Sequence, residues 1–164
     1  MADLISIRTL GTTPIPGDKP GGESVMLDAN YEAMRTEVQK LDSVTQEPVN
    51  WSSIVDTASD ILKKKSKNLL AATYLTLALF EKQGYDGMAA GLQVCRDLGV
   101  TFWDVLEPPA ARKRGRIEAF VWLTERGGKS ATRKPAGGNA KEPLESCLEL
   151  LKSLHTVLAE KLGD

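Results

Sequence analysis

Residues 68–83 read Asn-Leu-Leu-Ala-Ala-Thr-Tyr-Leu-Thr-Leu-Ala-Leu-Phe-Glu-Lys-Gln, and this stretch decides the fold. Nearly every position from 69 to 80 is apolar, so a helix formed here has almost no polar face. A helix that is apolar all round is normally buried all round. We therefore predict that this helix is the centre of the core. We also predict that Trp103 is buried. The predicted core side chains are Tyr31, Tyr74, Leu75, Leu77 and Leu92.

Amphipathic helices are predicted on both sides of this central helix, because apolar residues recur there at helical spacing. A first helix starts at Asp28, a good N-cap, and a second opens with Ser53-x-x-Asp56, which resembles a capping box. Gly84 should end the central helix, and Gly99 should end the helix that follows it. A fifth helix follows the basic residues from 112 to 116, and a last one covers residues 143–162.

The first 27 residues are expected to be an extended, turn-rich lead-in, because Pro14, Pro16 and Pro20 disfavour helix. Residues 4–10 carry the one weak suggestion of a strand. The fold class predicted from these patterns is all-α, a compact multi-helix bundle of antiparallel helical hairpins with an extended N-terminal lead-in.

Composition predicts a helical domain at 1–126, a flexible linker at 127–142 and a C-terminal amphipathic helix at 143–164. The linker is rich in Gly, Lys and Ala and includes Gly-Gly-Lys-Ser and Pro-Ala-Gly-Gly-Asn. The last helix presents a leucine stripe that has to be buried against the body of the domain or against another chain. We make no prediction about which of the two covers it.

The overall charge argues against a dedicated nucleic-acid binder. The 164 residues contain 21 basic and 22 acidic side chains, for a net charge of −1. No run of about 18 apolar residues is present, and the N-terminus lacks the pattern of a signal peptide. Cys95 and Cys147 are the only cysteines, and their separation suggests no disulfide framework. We therefore expect a cytoplasmic protein.

The residue types needed for catalysis are scarce. His155 is the only histidine, so neither a histidine metal pair nor a triad with a spare base can be built. Cys95 and Cys147 lack the two further ligands that a zinc site needs. We predict no catalytic residues, no metal, no cofactor and no enzyme activity.

A basic run and two tryptophans are the candidate contact residues: Arg112, Lys113, Arg114, Arg116, Trp103 and Trp122. The basic run could meet RNA or acidic lipid, but interleaved aromatic residues are missing, so a solvated helix start or a protein contact is favoured. The tryptophans are core anchors or, as the sharper alternative, interface hot spots.

The order of short motifs along the chain resembles the ImpA-type N-terminal domain of the TssA family of bacterial type VI secretion proteins. The resemblance covers about residues 10–126. Its motifs are Pro14-Ile15-Pro16, Pro20-Gly21-Gly22-Glu23, Tyr31-Glu32-Ala33-Met34, Asn50-Trp51, Ser66-Lys67-Asn68-Leu69, Ala72-Thr73-Tyr74-Leu75, Gly84-x-x-Gly87-x-x-x-Gly91-Leu92, Phe102-Trp103-Asp104 and Arg116-Ile117-x-Ala119-x-x-Trp122-Leu123.

The resemblance implies a non-catalytic role in assembling the contractile tail, through contacts with baseplate, sheath and tube proteins. It also implies that the chain is the N-terminal part of a longer protein or a short form, and self-association is possible. Two alternatives are a helical-hairpin adaptor of the tetratricopeptide type and, less favoured, a nucleic-acid-binding domain that uses residues 112–116.

Overall fold

The structure is a computed structural model, and it describes residues 2–163. Over that range the chain forms α-helices and no β-strand, so the predicted all-α class is confirmed. The helices are α1 (Leu4–Arg8), α2 (Ala29–Gln39), α3 (Trp51–Asp60), α4 (Leu69–Thr101), α5 (Lys113–Arg133) and α6 (Lys141–Leu162).

Helix α4 is the centre of the core and consists of two arms that meet at Gly84. The predicted break is present there as a kink, because Gly84 has φ +64° and ψ −146°, a conformation that glycine adopts readily. The first arm, 69–83, is buried on all sides from residue 71 to residue 80. The second arm runs past Gly99 to Thr101, so the predicted end at Gly99 is wrong. Gly99 is buried beside Val157 of α6, where a small residue allows close packing.

Helices α3, α5 and α6 all pack against α4. Ile54 and Ala58 of α3 are fully buried, and Cys147, Leu150 and Leu154 of α6 join the same apolar cluster. The last helix is thus docked on its own chain. The five predicted core residues, Tyr31, Tyr74, Leu75, Leu77 and Leu92, are all buried, whereas Trp103 is only half-buried.

The lead-in differs from the prediction over residues 4–11, which form α1 and a 3₁₀ turn instead of extended chain or strand. The Asp3 carboxylate caps α1 by accepting a hydrogen bond from the backbone N–H of Ile5 at 3.1 Å. Ile7 and Leu10 are buried, and Arg8 donates to Gln93 of α4 at 2.7 Å. Packing against α4 therefore stabilises a helix too short to show a periodic pattern.

Helix α3 starts at Trp51, two residues before the predicted capping box. Its cap is Asn50, whose side-chain oxygen accepts a hydrogen bond from the N–H of Ser53 at 3.0 Å. At the other end, a π-helical turn at Ile61–Lys65 continues α3.

Helix α5 continues to Arg133, so the predicted flexible linker is wrong for residues 127–133. Glu81 of α4 holds this part of the helix in place. Its carboxylate accepts a hydrogen bond from the Ser130 hydroxyl at 2.6 Å and pairs with the Lys134 ammonium at 2.7 Å. Residues 134–140 connect α5 to α6. The division of the chain into domains at residues 126 and 143 stays a prediction.

Candidate functional site

Three backbone segments from distant parts of the chain meet beside the start of α4. We call this meeting point of residues 21–23, 65–69 and 105–107 the three-segment junction. Its backbone hydrogen bonds run from Glu23 N to Lys65 O (3.0 Å), Lys67 N to Gly21 O (2.8 Å), Glu107 N to Lys67 O (2.9 Å) and Leu69 N to Glu107 O (2.7 Å). The middle segment is thus bonded on both sides, and two of the motifs that carry the family resemblance, Pro20-Gly21-Gly22-Glu23 and Ser66-Lys67-Asn68-Leu69, lie together.

Lys67 lies inside the junction, and its side chain is completely buried. Its ammonium group donates to the carbonyl oxygens of Leu10 and Leu62, both at 2.7 Å, and lies 5.2 Å from the centre of the Phe102 ring. Lys67 makes no ion pair with any carboxylate between residues 2 and 163, and burial lowers its pKa from 10.5 to about 8. Lys67 therefore ties the N-terminal segment, the end of α3 and the turn after α4 to the junction.

Arg116 holds the third segment from the opposite side and is also completely buried. Its guanidinium donates to Pro108 O at 2.7 Å and to Leu106 O at 2.8 Å, and stacks 4.4 Å from the Trp103 ring centre. Burial lowers the pKa of Arg116, while the charge of nearby Asp104 opposes the change. The prediction that Arg116 is a contact residue on the surface is wrong, because its side chain is completely buried and its Nε and Nη2 donate to backbone carbonyls.

The paired glycines of the first segment are required by the close approach of the segments. A side chain on Gly21 would place its Cβ 2.7 Å from the carbonyl oxygen of Val105. Gly22 has φ +75°, and a Cβ there would collide with the carbonyl of Lys65. The Gly-Gly motif thus allows the backbones of the three segments to come into contact.

The exposed face next to the junction carries most of the remaining predicted contact residues. Trp103 is half-buried under Arg116, and Val105 keeps 45% of its surface exposed. Arg112, Lys113 and Arg114 are exposed at the start of α5. We call these five residues the contact face.

Ion pairing involves only part of the basic run. Arg114 pairs with Glu118 at 2.8 Å, whereas Arg112 and Lys113 make no ion pair with any residue between 2 and 163. Trp122 is separate from the contact face, because it is half-buried and packs edge-on against Tyr74 at 4.8 Å.

The central residue of the junction, Lys67, was missed as a site residue. The signal available was a lysine placed directly before a fully apolar helix, between Ser66 and Asn68. Lys67 did not stand out in the sequence because Lys63-Lys64-Lys65 precedes it, and all four lysines fit the basic C-terminus of a helix.

The residues considered for catalysis or metal binding do not come together. His155 is exposed, and Cys95 and Cys147 are buried, which raises the pKa of each thiol to about 11. Between residues 2 and 163, no three His, Cys, Asp or Glu side chains form a group that could hold a metal ion. None of the helices described there is long and apolar enough to cross a membrane.

A family model covers most of the chain. The model of the ImpA N-terminal family of the type VI secretion system matches residues 12–125. The chain belongs to this family. The resemblance drawn from the sequence motifs is thereby confirmed, and the matched range of this ImpA-family chain contains all three segments of the junction and Arg116.

A solved structure shows the same fold. It is the N-terminal domain, including the conserved ImpA_N region, of the TssA component of the type VI secretion system from Burkholderia cenocepacia. The TM-score is 0.79 at 20% sequence identity, over 100% of this ImpA-family chain and 85% of the other. No curated protein matches the chain.

Proposed function

We propose that this chain is a non-catalytic assembly or scaffold component of the type VI secretion apparatus, acting in the bacterial cytoplasm by contact with baseplate, sheath or tube proteins. The proposal rests on the contacts that residues of the family motifs make. Lys67 and Arg116 direct their charged groups at backbone carbonyls, and the glycines allow close backbone contact. These residues hold the junction together, and Val105, Arg112, Lys113 and Arg114 of the contact face are exposed.

The contact face has the composition of a protein-binding surface. Tryptophan and arginine are enriched in binding hot spots, and the face combines Trp103 with Arg112 and Arg114. Arg116 and two backbone bonds fix the loop from 103 to 109, so little conformational entropy is lost when a partner binds to it.

A pull-down with the purified chain tests the proposal. The baits are wild type and a variant that combines Arg112→Glu, Lys113→Glu and Arg114→Glu, and the preys are the separately purified baseplate, sheath and tube subunits of one secretion apparatus. Acidic residues suit a helix N-terminus, so the variant should fold. We expect at least one subunit to bind wild type and to be lost with the variant.

A matched control places the same kind of charge change elsewhere. Lys63 and Lys82 are exposed lysines outside the contact face, and Lys63→Glu with Lys82→Glu should leave binding unchanged. Failure of every subunit to bind wild type would count against the assembly role. Equal losses with both variants would count against the contact face, because they would reflect a non-specific effect of charge.

A further inference from the structure

A long apolar groove lies between α5 and α6. Both helices pack on α4, and a cavity of about 490 Å³ opens between them. Its walls include Phe120, Leu123, Leu148, Leu151, Leu154 and Leu158. A second cavity, of about 400 Å³, shares Phe120, Thr124 and Leu158 with the first and extends to Ile117 and Leu162. The groove therefore follows most of the length of α6.

Large apolar side chains are left exposed along both edges of the groove. Leu148 and Leu151 of α6 are 51% and 46% exposed, and Val121 and Ile117 of α5 are 48% and 39% exposed. Contiguous exposed apolar surface of this kind marks interaction sites in soluble proteins.

The apolar residues of α6 form two adjacent stripes. Cys147, Leu150 and Leu154 belong to the core cluster, and Cys147 and Leu154 also reach the groove. A second stripe, spaced alternately by four and three residues, lines the groove with five leucines and one histidine: Leu144, Leu148, Leu151, His155, Leu158 and Leu162. Alternate spacing of three and four is the pattern that packs one helix against another. Leu158 packs against the core cluster, whereas Leu148 and Leu151 stay exposed.

The length of the groove suits a helix. The stripe from 144 to 162 is about 27 Å long at 1.5 Å per residue, which is about five helical turns. A partner helix in the groove would contact α5 on one side and α6 on the other, and would cover the exposed leucines of both edges.

The charge at one end of the groove selects the chemistry of the occupant. Lys113 lies four residues before Ile117, and Arg114 lies seven before Val121, so both continue the groove-facing side of α5 by about one turn. The first turn of α5 contains no acidic residue, and no side chain caps it. Helix α6 ends at the same place, because Ile117 and Leu162 line one cavity, so the negative end of its dipole offsets the positive end of α5. Arg114 pairs with Glu118, and Lys113, which makes no ion pair with any residue between 2 and 163, is the charge left for an occupant.

We propose that the groove between α5 and α6 binds an amphipathic helix of a partner protein, with its apolar stripe in the groove and an acidic end at Lys113. The identification of the partner as a subunit of the secretion apparatus rests on the proposed function, whereas the groove and its charge do not.

A designed peptide tests the groove directly. The probe is a fluorescent helical peptide of about 18 residues with Leu at heptad a and d positions and a block of Glu at its C-terminal end. A second peptide has Gln in place of each Glu. We expect the first peptide to bind the full chain about tenfold more tightly in fluorescence anisotropy at low salt. Equal affinities would overturn the proposed charge match.

Variants locate the binding site. Leu148→Glu and Leu151→Glu place charges at half-exposed positions of the groove and should each weaken peptide binding by at least about tenfold. Val44 is 98% exposed and outside the groove, so Val44→Glu is the matched control and should bind like wild type. Circular dichroism melts verify that the variants fold. Binding that survives both groove variants would overturn the proposal.

Two further results separate the possible occupants. If sedimentation shows that the chain dimerises and that Leu151→Glu makes it monomeric, a second copy fills the groove and the partner-helix proposal is overturned. If the peptide binds as expected while no secretion subunit is retained in the pull-down, the groove proposal is supported and the proposed function is contradicted. If subunits bind and the peptide does not, the groove proposal is contradicted and the proposed function is supported.

Discussion

Replacement of Lys67 by methionine tests whether the ammonium group of Lys67 is desolvated in the folded protein. Methionine has a similar length and no charge, so Lys67→Met removes the desolvation cost of the ammonium. It also leaves the carbonyl oxygens of Leu10 and Leu62 without their donor, at about 1–3 kcal/mol each. These effects oppose each other at neutral pH, so the diagnostic quantity is the pH dependence of the stability difference between wild type and variant.

The sign and size of that dependence follow from the pKa of Lys67, which falls from 10.5 to about 8 on folding. Because the folded-state pKa is the lower one, the unfolded chain binds more protons between these values, and wild-type stability rises with pH there. At about 1.4 kcal/mol per pH unit between the two pKa values, the full effect is about 3 kcal/mol. About 1 kcal/mol of it should emerge between pH 7 and pH 9, and about 2 kcal/mol by pH 10.

Other groups titrate in the same range, and the comparison cancels them. Burial raises the pKa of Cys95 and Cys147 from 9.0 to about 11, so their contribution to stability falls as pH rises above 9. Both cysteines are present in wild type and in Lys67→Met. The free energy of unfolding of each protein is measured by urea denaturation, followed by circular dichroism, at pH 7, 8, 9 and 10.

The expected result is that wild type gains about 2 kcal/mol relative to Lys67→Met between pH 7 and pH 10. Lys82 is exposed, and Lys82→Met should show no such trend. A difference between wild type and Lys67→Met that stays constant over this range would refute the desolvated ammonium. A difference that falls with pH would mean that the folded protein favours the charged form.

Three further predictions concern stability and are measured by thermal and urea denaturation. Arg116→Lys keeps the charge but loses the forked contact with two carbonyls, and should lower the free energy of unfolding by about 2–4 kcal/mol. Arg114 is exposed, and Arg114→Lys should change the free energy of unfolding by no more than about 0.5 kcal/mol. Equal effects of the two substitutions would contradict the role given to Arg116. Gly22→Ala should cost more than about 1 kcal/mol because of its positive φ and the Lys65 carbonyl, whereas Gly137→Ala, in open space, should be nearly neutral. Leu77→Ala should cost about 2–5 kcal/mol, and an unchanged melting temperature would show that the first arm of α4 is not the core.

Periodicity in the sequence was sufficient for the elements whose burial it directly reflects. Helices α2 and α6 have apolar residues at helical spacing, and the first arm of α4 is apolar throughout. The structure starts α2 one residue and α6 two residues from the predicted positions. The kink at Gly84 was also predictable, because glycine tolerates positive φ.

The elements that were missed depend on contacts with distant residues. Helix α1 has only five residues and is held by the Asp3 cap and by packing on α4. The last two turns of α5 contain Gly-Gly-Lys-Ser, which has no apolar pattern, and Ser130 bonds to Glu81 of α4. The burial of Arg116 could not be read from a basic run, because its partners are carbonyls of a loop whose path is set by tertiary structure.

The three-segment junction has a consequence for the speed of folding. Helical bundles usually fold fast because most of their contacts are local. Here the bridges Gly22–Ser66 and Asn68–Glu107 each close a loop of about forty residues, and the chain must meet that entropy cost before the contacts form. The helices can therefore form early, whereas the junction forms only after both loops have closed. This all-α chain should fold with the slower kinetics typical of mixed topologies.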